Sequence, residues 1–421
     1  MNPALLAAIV AALAYLPSLG GVFHFDDYNV IVHYPTVHSW QTLFERWGGG
    51  VRPLLKASYT FNWIFGGFSI FNVAIHALNA ALLYLVGEAL FRDRRAAFVA
   101  AILFALHPAA TEAVTYISGR SSSLMAVFYL GAMLAYLRRM HWSVSTVLFL
   151  LAVATRETAV TLPAALLLCE LCRYDPISWK EIVRRQWPHW ALLCAGAVFL
   201  LFNQRYFDLI AYGYGERSLA DNLITQVGGI SFLALRLISL QDYNIDPALP
   251  TLTEWTDALR FQASLLLVLF LLGVTNIRQR PWIAFGILWF FLQLSPTNSI
   301  VPRLDVANDR QLYLACWGLF LGIAVQLHVP RIVTAILVGL FAIASIARQL
   351  DYRSEIVLWE SSVALAPWNA RGHNNLGYAY QVAGRIEDAR REYHAALLFD
   401  PRHAKARLNL MFLPAKAGTQ P

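Results

Sequence analysis

The feature that most constrains this chain is a succession of apolar runs with few charges, several of them short and the rest near the length a helix needs to cross a bilayer. A hydrocarbon core about 30 Å thick takes about 20 helical residues to span. Runs fall at 3–19, 70–91, 96–107, 121–137, 143–154, 158–172, 190–203, 262–275, 281–294, 312–328 and 331–348, with a further one at 223–240. Apolar residues make up 58% of the sequence and charged residues 14%, against about 25% charge in a soluble domain. The expected fold is all-α, since an open chain dissolved in lipid satisfies its own backbone only as helices. The net charge of +7 does not mark a nucleic-acid binder, because the basic residues sit in short loops between apolar runs.

Loop charge gives an orientation. The segments 92–95, 138–141, 173–189, 276–280 and 329–331 hold 12 Lys and Arg in 33 residues. The opposing segments 21–69, 108–120, 204–222, 241–261 and 295–311 hold 9 in 119. The basic set belongs in the cytoplasm. The alternation works only if 223–240 does not cross, which leaves eleven spans, the N-terminus inside and the C-terminus outside. The long loops, rich in Trp and Tyr, then face one outer compartment.

Residues 1–19 lack a basic leading region and a clear cleavage site, so they are expected to be a retained first helix. Cys169 and Cys172 have metal-motif spacing. With no second ligand pair, they are expected to be buried small hydrophobes. No metal or cofactor is expected.

The tail changes character near residue 350. Pro367 and Pro401 are 34 residues apart, and the same offset pairs Trp359 with Tyr393, Ala370 with Ala404, Asn375 with Asn409 and Leu376 with Leu410. A helical period of about 34 is the tetratricopeptide signature. The expected division is a membrane domain over 1–349 and a repeat domain over 350–421. So short an array is expected to lean on the membrane domain or on a partner.

Four polar clusters can carry chemistry. The pair Asp26-Asp27 follows the first apolar run; mutual repulsion can raise one pKa and supply a general base. Alternatively, both are solvated loop acids, one of them a helix cap. The hairpin His107-Pro108, Glu112 and Ser118-Gly119-Arg120 can bind a phosphate and orient a sugar, or merely cap helices. Arg156-Glu157 sits between two apolar runs, where charge is costly and usually functional, unless the two pair with each other. Around Asn298, Asp309 and Arg310, the arginine can grip an anionic head group or simply reach for the interface.

The order of these pieces is more specific than any one of them. The acidic pair, Arg52-Pro53-Leu54, Phe71-Asn72 with His76 and Asn79, the His-Pro…Glu…Gly-Arg hairpin, Arg156-Glu157 and then Asn308-Asp309-Arg310…Tyr313 precede the repeats. This series resembles the transmembrane and tetratricopeptide-repeat O-mannosyltransferases, members of the polytopic C-type glycosyltransferase class, over nearly the whole chain. The resemblance implies a sugar donor linked to polyprenyl phosphate and used at the outer face of the membrane. It implies an acceptor hydroxyl on Ser or Thr of a protein, such as a pilin or another envelope protein. It implies a base at Asp26 or Asp27, with Asp27 preferred. Arg120, Arg156 and Arg310 would take the carrier phosphate, and His107, Glu112, Glu157, Asn298 and Asp309 complete the candidate site. A single inverting, metal-independent displacement is the simplest chemistry.

The sequence departs from the family pattern at Ala110, where a second His is usual, and at Ser122, where an acid is usual. Arg156 stands for a Lys and Ala159 for a Gly. These departures bear on donor sugar and acceptor. The short repeat array suggests a bacterial relative in the inner membrane, with its repeats in the periplasm. The competing readings are a transferase that modifies lipid or glycan, a non-catalytic scaffold that recruits proteins through its repeats, and a transporter.

Overall fold

The structure, a computed structural model, describes residues 1–47, 51–173, 177–202, 204–240, 242–327 and 330–414. The expected span ends at 203 and 328 lie outside the described residues, as does the tail beyond 414. Among the described residues the fold is all helix, with no strand. The chain is an integral membrane protein. Among the described residues, five helices are long and apolar enough to cross a bilayer: Phe68–Phe91, Leu219–Ser239, Asp257–Thr275, Asp309–Leu327 and Arg331–Asp351. The stretch expected not to cross, 223–240, overlaps the second of these up to residue 239. A sixth is formed if Arg94–Leu106 and Pro108–Val114, bent by 59°, make one span. The bend falls at Pro108, which lacks the N–H that a continuous helix needs.

The expected first span, 3–19, is interrupted. Its α-helix runs Pro3–Ala14, and a tighter turn follows over Leu16–Gly20, where Pro17 stands. Ala4, Ala7 and Ala11 are buried on one face, which lets this helix lie close against Phe68–Phe91. The expected 190–203 is the C-terminal part of a longer helix, Trp179–Phe202, whose first turns are polar.

Helix contact in lipid relies on small residues rather than on apolar burial. The pair Pro281–Leu294 and Leu312–Leu327 illustrates this. A Cβ placed on Gly286 would lie 2.8 Å from the Gly318 carbonyl oxygen, so the two backbones touch there. Buried Trp289 and Trp317 flank that contact, and the Trp289 indole N–H donates to the Leu314 carbonyl at 2.7 Å. This close pair fixes the start of Leu312–Leu327, next to Arg310.

Four polar helices follow the last long apolar one: Glu355–Leu365, Ala370–Val382, Ile386–Phe399 and Ala404–Phe412. Trp359 and Tyr393, paired by the 34-residue offset, are both buried between them. These helices rest on loops of the membrane part. Arg371 forms two 2.6 Å bonds to Asp246 and one of 2.8 Å to Asp305. Ser362 and Asn244 exchange two further bonds, of 2.6 and 3.1 Å.

Candidate active site

The hairpin between Arg94–Leu106 and Arg120–Leu137 supports the site. His107 is its hinge: fully buried, it accepts the Ala109 N–H at 3.2 Å and packs on Phe320 and Phe341. Gly119 closes it. A Cβ there would stand 2.1 Å from the Glu112 carbonyl oxygen, so any larger residue would force the hairpin open.

The acidic pair lies on this hairpin, and its two members face differently. Asp27 is fully buried and accepts the backbone N–H groups of His24 at 2.9 Å and Ser118 at 2.7 Å. It ties the loop to the hairpin. The Asp26 backbone N–H donates to the Tyr116 hydroxyl at 2.9 Å, and Asp26 itself lines a cavity of about 340 Å³. Both carboxyls are raised above their usual range. Burial is the leading cause in each case, rather than the mutual repulsion expected from the sequence. Asp27 reaches about 7 even though the two N–H donors favour its charged form.

Five cations line the same cavity: Arg52, Lys56, Arg156, Arg303 and Arg310. Arg52 forms a fork with Glu157, with Nε to Oε2 at 2.8 Å. Arg156 donates to the hydroxyls of Ser121 at 2.9 Å and Ser122 at 2.6 Å. The Arg310 backbone N–H donates to Glu112 at 3.1 Å, and its guanidinium lies 3.4 Å from the same carboxylate. Lys56 donates to the Tyr34 hydroxyl at 3.2 Å. Burial lowers the pKa of Arg156 and Arg303, and the other arginines lower both further. The cavity is therefore strongly positive and chemically matched to a phosphate. Glu157 shows the converse: burial opposes its charge, yet Arg52 and Arg156 together hold it at about 2.

Other sequence candidates are placed elsewhere. Arg120 does not line the cavity. It is fully buried, and its guanidinium is committed to Asn72 at 2.5 Å and to the carbonyls of Ser58 at 3.1 Å and Phe68 at 3.0 Å. It ties helices together and has no donor directed at a ligand in the cavity. Glu157 pairs with Arg52 rather than with Arg156, its neighbour in sequence, whose backbone is extended at φ −158° and ψ 133°. Asn298 donates to Gln226 at 2.9 Å and to the Val306 carbonyl at 3.1 Å, and borders a separate apolar cavity of about 500 Å³. His107, Glu112 and Asp309 are buried behind the cavity wall and do not line it. Cys169 and Cys172 are buried free thiols. Among the described residues no group of three His, Cys, Asp or Glu is placed to hold a metal ion.

Lys56 and Arg303 line the cavity although the sequence did not single them out, and Arg52, quoted there only within the Arg52-Pro53-Leu54 motif, lines it too. Scarcity was the available signal: of nine basic residues in the 119 residues of the basic-poor loops, four line this one cavity.

The acidic loop is also held from the C-terminal helices. Phe25 has φ +43°, a left-handed value that costs a non-glycine residue about 1–3 kcal/mol. Its N–H donates to Glu355 Oε1 at 2.8 Å, and the Trp359 indole holds the other oxygen at 2.7 Å. The Phe25 ring packs edge-on against Trp359 at 5.2 Å.

The chain is similar in sequence to proteins named protein O-mannosyl-transferases. One from Caenorhabditis elegans is 24% identical over 94% of this chain and 62% of that protein. One from Xenopus laevis is 23% identical over the same shares, 94% and 62%. One from Drosophila melanogaster is 34% identical over 39% of this chain and 22% of that protein. These agree with the resemblance read from the motif order. In the two long alignments the chain spans less than two thirds of its relative's length. No family model and no solved structure matches.

Proposed function

We propose that this chain is a membrane glycosyltransferase that moves a sugar from a polyprenyl-phosphate carrier to a Ser or Thr hydroxyl of a protein. One observation carries the reading: Asp26 shares a single cavity of about 340 Å³ with Arg52, Lys56, Arg156, Arg303 and Arg310. The names of the relatives support sugar transfer to protein.

The acceptor oxygen bonds to the anomeric carbon as the bond from that carbon to the phosphate oxygen breaks. The hydroxyl proton passes to Asp26, which burial makes a stronger base than an exposed aspartate. The departing electron pair stays on the phosphate, which the arginines stabilise. One displacement inverts the anomeric centre and needs no covalent intermediate.

The cavity opens to the outer compartment and the N-terminus is cytoplasmic, as the loop charges favour. A bacterial inner membrane is the proposed setting, with envelope proteins as acceptors. The C-terminal helices present the acceptor segment. A pure scaffold has no use for a cavity that five cations and Asp26 line together.

Intact-mass analysis of envelope proteins, from cells making wild type or Asp26→Asn at matched membrane levels, tests this. A glycan mass increment seen with wild type and lost with Asp26→Asn is the expected result. No increment with either would rule out transfer to protein.

A further inference from the structure

We infer that Gln311 reads one hydroxyl of the donor sugar, in a small polar chamber beside the arginine-lined cavity. This rests on the transferase reading and adds a determinant of sugar specificity to it.

The chamber has a volume of about 30 Å³, and Arg156 and Arg310 line both it and the larger cavity. A group that enters it therefore stays within reach of the proposed phosphate site. One water needs about 10–15 Å³ of such space, so the chamber has room for a hydroxyl group or two and not for a sugar ring. The sugar ring has room only in the larger cavity.

Its wall carries Ser122, Thr158, Gln293, Thr297 and Gln311. Three of these are engaged within the protein. Ser122 accepts from Arg156 at 2.6 Å, Gln293 donates to the Tyr129 hydroxyl at 2.9 Å, and Thr297 donates to the Leu294 carbonyl at 3.2 Å. Thr158 is only half-buried, whereas Gln311 is buried. It is 8% exposed, and neither its Oε1 nor its Nε2 has a hydrogen-bond partner. A buried amide left unsatisfied at both atoms destabilises the fold, and native proteins rarely keep one without a use. A carboxamide offers one donor and one acceptor side by side, the complement of a hydroxyl, which both donates and accepts. It carries no charge, so it is suited to the neutral sugar rather than to the phosphate. A site built to bond a hydroxyl strongly rejects an analogue that lacks it.

The test uses the purified full chain carrying Asp26→Asn, which holds the donor without turnover. Binding is measured for farnesyl phosphate, for farnesyl phosphoryl mannose and for each of its monodeoxy analogues. One analogue is expected to bind about 10- to 100-fold more weakly than the parent. Adding Gln311→Met should weaken the parent to the level of that analogue and leave farnesyl phosphate unchanged. Because it removes an unsatisfied amide, Gln311→Met should also melt at or above the temperature of the unsubstituted chain. A structural role predicts the opposite: earlier melting, and farnesyl phosphate weakened along with the sugar. Equal binding of all analogues, or discrimination that survives Gln311→Met, overturns the inference while leaving the transferase reading intact. No binding of either farnesyl phosphate or the parent overturns both. Gln311→Leu serves in the same assay if the Met variant does not fold.

Discussion

The backbone N–H of Phe25 donates to the Glu355 carboxylate at 2.8 Å, across 330 residues of chain. This bond joins the first of the C-terminal helices to the loop that carries Asp26. Phe25 keeps its left-handed φ of +43° because Glu355, Trp359 and Tyr116 hold the segment on both sides. Glu355→Ala should therefore relax the loop and move Asp26 away from its working position. Steady-state kinetics should show kcat reduced about 10- to 100-fold, with the KM for donor little changed. Glu355→Gln keeps a carbonyl oxygen for Phe25 and should recover most of the loss. Equal defects in the two variants would remove the positional role.

Asp27 is expected to matter for folding. An asparagine offers one acceptor where the carboxylate offers two, so Asp27→Asn leaves the N–H of either His24 or Ser118 facing an amide. The loss should be about 1–3 kcal/mol, measured by thermal unfolding in detergent. The pH dependence has a definite sign. Burial raises Asp27 to about 7 in the folded state, against about 3.9 unfolded. Its contribution to stability is complete below the unfolded value and is lost as pH rises towards 7. The difference between wild type and Asp27→Asn should follow that slope and flatten above it.

Arg303 and Arg120 should separate binding from structure. Arg303 lines the cavity, whereas every nitrogen of the Arg120 guanidinium bonds to protein oxygen. Arg303→Ala should lower kcat/KM by about tenfold or more, since a charge-assisted bond to phosphate is worth about 1.5–3 kcal/mol, and leave the melting temperature near that of wild type. Arg120→Ala should yield little folded protein, because it strands buried carbonyls and empties a space between helices.

Arg371 should hold the C-terminal helices in place. Its fork on Asp246, which is 3% exposed, and its bond to Asp305 tie those helices to the membrane part. Arg371→Ala leaves Asp246 buried without its partner, at a cost of about 1.5–3 kcal/mol. Limited proteolysis should then release the segment after residue 350 sooner. Arg371→Lys should not restore it, since an ammonium cannot form the fork.

Much of the fold was legible because apolar runs and a 34-residue offset report directly on burial. The runs at 70–91, 121–137 and 281–294 are helices within a residue or two of where the sequence put them. Trp359 and Tyr393, matched by offset, are buried together. The site was less legible, because its walls come from segments far apart in sequence. Nothing local to Lys56 or Arg303 brings them to Asp26. The preference for Asp27 failed to anticipate that two backbone N–H groups would claim it while Phe25 turned Asp26 to the cavity. Arg120 reads as a ligand-binding residue until the carbonyls of Ser58 and Phe68 are seen around it. Glu112 and His107 were found as polar residues, and the structure places Glu112 against Arg310 and His107 at the bend of the hairpin.

The most direct test is transfer of mannose from farnesyl phosphoryl mannose to a Ser/Thr peptide, using purified wild type, Asp26→Asn and Asp27→Asn across a range of pH. The account predicts activity in wild type with an acidic limb above the usual carboxylate range, because Asp26 must be ionised and its carboxyl is raised. It predicts loss of at least about 100-fold in Asp26→Asn, the share that general base catalysis supplies, without loss of fold. Whatever Asp27→Asn protein remains folded should turn over. Full activity in Asp26→Asn, or a wild type that binds donor and never transfers it, would contradict the central claim.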